Sequence, residues 1–165
     1  MLRRDALLRS GLFDPAFDHG PRADRDIGIR LHLSGAVLVY DPSVMVFHHH
    51  APAGGLRTHG ARVITRARAR RSLTERQLPA ATELYIGLRY YSPHQQREAR
   101  VVRILSILSG SGPAHRRAAR ALIQLALLPT TLEAIRKAER DAAALFEHRR
   151  PIPTLPGPPL VDRAP

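Results

Sequence analysis

Gly11-Leu12-Phe13-Asp14 opens a stretch that runs on through Ala23-Asp24-Arg25-Asp26-Ile27-Gly28-Ile29-Arg30-Leu31, Gly35 and Tyr40-Asp41-Pro42 to Phe47-His48-His49-His50. Its middle supports two readings. Ile27, Ile29, Leu31 and Leu33 alternate with Gly28, Arg30, His32 and Ser34, a period of two that suits one strand of a hairpin. An aspartate ahead of a run that is apolar on several sides suits instead a buried helix with Asp24 as its N-cap. Beyond Gly35, residues 37–40 and 44–48 are rich in β-branched and aromatic side chains. They flank Asp41-Pro42-Ser43, the pattern of two short strands with a bend between them.

In their order and spacing these pieces resemble the acceptor-side half of a glycosyltransferase family 2 catalytic domain, which has the GT-A fold. That family runs from a Gly-x-Phe-Asp turn to an acidic pair, a helix carrying Arg-Leu, a glycine turn, and a strand ending in Asp-Pro and then histidine. The resemblance covers about the first third of the chain and weakens after Arg57. It decides for the helix over residues 27–33. The expected fold class is therefore an α/β remnant, mostly α: a short two-strand element from the C-terminal half of a GT-A domain, followed by a helical region. Residues 1–57 form the acceptor-side part, 58–150 the helical region and 151–165 a Pro-rich disordered tail.

The resemblance also implies a chemistry, the transfer of a sugar with inversion from a nucleotide-sugar donor to an acceptor hydroxyl. Such a reaction needs a base to take the hydroxyl proton while the nucleotide diphosphate leaves. The second acidic position of the pair carries that base in the family and falls on Asp24. The first, associated with acceptor binding, is Ala23, a departure from the pattern. In related enzymes a histidine at the strand end completes a divalent metal site, which implies manganese or magnesium with His48 or His49 as a ligand. The family's first metal ligands belong to a nucleotide-binding half that this stretch does not resemble. A truncated chain, inactive without that half, is the expectation, and donor and saccharide or lipid-linked acceptor would be met through it.

Other residues are read from their own chemistry. Gly54, Gly55 and Arg57 could bring backbone amides and a guanidinium to a diphosphate or acceptor, although a Gly-Gly pair also suits a plain loop. Asp14 is expected to order its turn, Phe17 to anchor it, and Arg30 to pair with Asp24 or Asp26.

The chain has 165 residues, 44% of them hydrophobic, and a net charge of +12. That length permits a sizeable core. The excess charge is almost entirely arginine, with Lys137 the single lysine, and is spread along the chain without a basic block. Nucleic acid is therefore disfavoured as a partner, since phosphate binding gains from clustered cations. Absence of cysteine excludes disulfide and thiolate chemistry. The start is charged within five residues, and the most apolar run, 118–128, is interrupted by Arg120 and Gln124. A cytoplasmic protein is expected, either soluble or peripheral at the inner face of the membrane.

From Gly60 the pattern is helical. Leu84, Tyr85, Leu88 and Tyr91 recur at helical spacing, and Ser92-Pro93 starts the next helix, which stops at Gly110. A helix over 115–128 and another over 131–148 flank Pro129, with Thr130 or Thr131 as cap. Arginines on one face and Leu, Ile and Val on the other support a rival function, a basic helical module that binds an anionic membrane surface or polyanion.

Overall fold

The computed structural model describes residues 3–18, 20–43, 45 and 71–156. The chain divides into two compact units. The first comprises Met1–Asp18, Arg22–Pro52 and Arg150–Pro165; the second comprises His19–Pro21 and Ala53–Arg149.

Two helices build the first unit, α1 (Arg4–Ser10) and α2 (Ala23–Leu33). Asp5 in the first turn of α1 and Arg9 in its last complement the helix dipole. The chain leaves α1 through Gly11 at φ 75°, ψ 176°, a conformation open essentially to glycine alone. A Cβ there would also lie 2.9 Å from Ile152 Cγ2. Asp14 orders its turn as expected, its carboxylate accepting from the Ala16 N–H at 2.9 Å to cap the 3-10 turn Pro15–Phe17. Phe17 is buried.

The helix α2 takes the place of the alternating strand. Its buried apolar residues are Ile27 and Leu31, four apart on one face, while Leu33 is exposed, so burial follows the helical period and the alternation is incidental. Ile27, Leu31 and Ala6 of α1 form a small core with Leu7 and Ala36 packed against it. At the far end Gly35, at φ 83°, donates to the His32 carbonyl at 3.0 Å, and Ala36 donates to Leu31 at 3.0 Å. This is a Schellman motif, closed by the contact of Ala36 with the core around Leu31.

Two expectations are corrected here. Among the described residues every regular element is helical and no strand occurs, so the two-strand element of an α/β remnant is not present. Residues 37–40 are irregular and open to solvent, and residues 44–48, apart from Met45, lie outside the described residues. A strand needs a neighbour for its amides and a surface for its side chains, and the described helices give residues 37–40 neither. Asp24 is not the N-cap of α2; Arg22 is, and Asp24 sits in the first turn. Of the segment read as a Pro-rich tail, residues 151–156 are among those described. Pro153 O accepts from the Leu12 N–H at 2.8 Å, and Pro156 O accepts from Arg4 Nη2 at 3.2 Å.

The second unit holds α3 (Ala81–Tyr90), α4 (Pro93–Leu108), α5 (Ala114–Ala126) and α6 (Leu128–Glu147). Ser92 starts α4 as expected, in a full capping box with Gln95 and with Pro93 in the first turn. Tyr85 and Ile86 of α3 are buried in this unit, as are Ile135 and Ala142 of α6, and the Tyr85 and Phe146 rings meet at 6.2 Å between centroids. α5 and α6 are bent by 64° at Leu127. Thr130 and Thr131 do not cap α6; both hydroxyls donate back to the Leu127 carbonyl at 2.9 Å. Arg120 and Gln124, which interrupt the apolar run of α5, point inward. The Arg120 guanidinium donates to the carbonyls of Ile107, Ser109, Ser72 and Glu75. The Gln124 amide donates to Leu73 at 2.8 Å and Thr74 at 3.1 Å.

Candidate functional site

Asp24 stands on a firmly held helix start. Two residues on, Asp26 is fully buried and accepts from Arg30 Nε at 2.8 Å, an ion pair one helical turn long. The same guanidinium reaches α1, donating through Nη1 to the Ser10 carbonyl and through Nη2 to the Leu12 carbonyl at 2.6 Å. Arg30 thus joins α2 to the C-terminal end of α1, where a cation is favoured by the dipole. Of the two partners expected for Arg30, the structure gives Asp26.

The approach to α2 is strained. Arg22 adopts φ 86°, ψ 14°, left-handed and the one such conformation outside glycine among the described residues. It costs roughly 1–2 kcal/mol for a residue with a Cβ and persists only where its surroundings impose it. Asp24 itself is exposed and makes no hydrogen bond or ion pair among the described residues. A carboxylate so placed, near the positive end of a helix and uncommitted, is available to a hydroxyl from solvent.

The other predicted residues are not brought together with it. His48, His49, Gly54, Gly55 and Arg57 all lie outside the described residues. Asp24-Arg25-Asp26 has the letters of an Asp-x-Asp motif, but two residues on a helix diverge by about 200°. Asp26 is moreover committed to Arg30. Among the described residues no group of three histidine, cysteine, aspartate or glutamate side chains could hold a metal ion.

Sequence reasoning missed a groove of about 300 Å³ in the second unit, bounded by α3, α4 and α6. Arg97, Arg100 and Arg103 line it and recur at spacings of three, a stripe that by sequence suits an anionic membrane surface or polyanion. What was not legible is that Glu83 and Glu139, distant in sequence, share the same lining. No family model, no curated protein and no solved structure matches this chain.

Proposed function

We propose that the chain is the acceptor-side part of a nucleotide-sugar-dependent glycosyltransferase of family 2, with Asp24 as its base. Asp24 would take the proton from an acceptor hydroxyl as that oxygen attacks the anomeric carbon and the nucleotide diphosphate leaves with the bonding electrons. The observation that carries this reading is the exposed, unpartnered carboxylate on a helix start locked by the Asp26–Arg30–Ser10/Leu12 network, because a base is effective only when its position is fixed. The exposure of Val37, Leu38, Val39 and Tyr40, by 84%, 59%, 79% and 88%, adds support. A run of large apolar side chains left open marks a surface that another piece of protein covers, and a nucleotide-binding half would supply it.

The test joins this chain to a nucleotide-binding half and compares Asp24→Asn with the parent. Turnover should fall by about a hundredfold or more while donor affinity stays within twofold, since loss of a general base costs on the order of 10²–10⁴ in rate. Near-normal turnover would reduce Asp24 to a dipole-facing surface charge.

A second reading has its own observation. On α5, Leu122 and Leu125 are exposed on a helix that also exposes Arg116 and Arg117, an arrangement suited to lying on an anionic membrane. Among the described residues no single helix is long and apolar enough to cross a bilayer. Under this reading the chain sediments with phosphatidylglycerol vesicles and loses most of that binding on Leu122→Asp.

A further inference from the structure

The groove of the second unit has two kinds of wall. Along α4 run Arg97, Arg100 and Arg103; the lining also includes Leu84 and Leu88 of α3 and Tyr91, which follows it. Of the three guanidiniums, Arg100 is engaged, its Nε 3.3 Å from Glu139 Oε1. Arg97 and Arg103 make no ion pair or side-chain hydrogen bond among the described residues. Arg97 is exposed, but Arg103 is half-buried. Burial holds the Arg103 guanidinium below its usual value, a lowering that the nearby carboxylates of Glu83 and Glu139 only partly offset. A partly desolvated cation with no direct partner is a costly arrangement that an incoming anion would relieve.

We propose that this groove binds a small anionic amphiphile, its phosphate or carboxylate head held by Arg103 and Arg97 and its alkyl or aromatic body lying on Leu84, Leu88 and Tyr91. The chemistry follows from the lining. Among the described lining residues three arginines against two glutamates leave a net positive charge for the head, and the bidentate fork of a guanidinium matches both kinds of oxyanion. The apolar wall would be wasted on a free inorganic ion. The volume lies at the small end of ligand pockets, which limits the body to a short chain or a single ring.

Calorimetric titration of the full chain with hexyl phosphate and hexanoate, against inorganic phosphate and hexanol, tests the proposal. At least one of the two amphiphiles should bind about tenfold or more tightly than either control and shift the Arg97 and Arg103 side-chain NMR signals. Whichever binds better identifies the head group. Arg103→Met should weaken binding by about tenfold, the size expected for a hydrogen bond to a charged group. Glu139→Gln should strengthen it, because it removes a carboxylate that competes for Arg100. That gain is a result which mere damage to the fold cannot produce. Inorganic phosphate binding as tightly as hexyl phosphate would overturn the proposal, as would an Arg103→Met protein with unchanged helicity and unchanged affinity. Binding to phosphatidylglycerol vesicles alone, indifferent to both substitutions, would assign the arginines to a membrane surface and overturn it equally.

Discussion

Arg30 and Arg120 meet the same need in the two units, a buried guanidinium that gathers carbonyls from chain ends no helix can satisfy. Arg30 differs in also holding a buried carboxylate, and that decides the outcome of its removal. Arg30→Met should destabilise the first unit by about 3–5 kcal/mol, since it takes a guanidinium from the buried Asp26 carboxylate and from two carbonyls. Denaturation followed by hydrogen exchange at Ile27 and Leu31 measures the loss. Adding Asp26→Leu should recover part of it, because it removes the buried charge. The Asp26–Arg30 pair was legible from its spacing of four, whereas Arg120 read as a break in an apolar run. Its carbonyl partners lie 11 to 48 residues away, a distance over which no periodicity speaks. Asp41 offers a titration at the same scale. Its carboxylate accepts from the Ser43 hydroxyl at 2.6 Å and the Ser43 N–H at 2.9 Å, which hold it below the usual carboxylate value. A group lowered in this way stabilises the turn above its ordinary value, and that contribution is lost as pH falls through the folded one. Ser43→Ala should move the Asp41 titration upward in carbon-detected NMR; an unmoved midpoint would show that the hydroxyl is not its partner in solution.

Caps explain which elements could be read. Ser92 and Gln95 carry the reciprocal bonds of a capping box, and Ser92-Pro93 announced α4 correctly because every residue it uses lies within one turn. Ser92→Ala should cost about 1 kcal/mol in the second unit by thermal or urea melting, with fraying confined to the first turn of α4. Thr130 and Thr131 have the same cap chemistry but sit beyond Pro129, inside a turn that Leu127 had already begun, so their hydroxyls bond backward. The strand expected over residues 37–40 failed for a different reason. Its composition is strand-like, but pairing is a property of two segments, and among the described residues its neighbours are helices. Gly35 was read as a turn from its place in the pattern, and its positive φ bears that out. Gly35→Ala meets no neighbouring atom, so the strain of the left-handed backbone alone should set its cost, about 1–2 kcal/mol.

At the scale of the whole molecule the two units have different sources of order. The first has a core of few residues and relies on Arg30 and on the segment that returns at Ile152 and Pro153. Ending the chain after Arg150 should therefore lower its melting temperature by on the order of 5 °C, as expected when about 1 kcal/mol is removed from a small unit. Composition could not foresee this, because a Pro-rich run that forms neither helix nor ladder can still offer carbonyl acceptors and one isoleucine to a neighbour. The second unit contains its own partners. Tyr85, Ile86, Ile135 and Ala142 are buried within it, and Arg120 and Gln124 donate to carbonyls between Ser72 and Ser109. A fragment of residues 53–149 loses from this set only the close packing of Gly20 on Thr82. It should fold alone, giving a helical circular-dichroism spectrum and one sigmoidal melt, because the Tyr85–Phe146 contact and the described carbonyl clamps of Arg120 and Gln124 lie within it. The second unit's groove should then bind hexyl phosphate in the fragment as in the full chain. A broad, non-cooperative melt would show instead that the helices depend on the first unit for their packing, and that the division into two units does not extend to their stability.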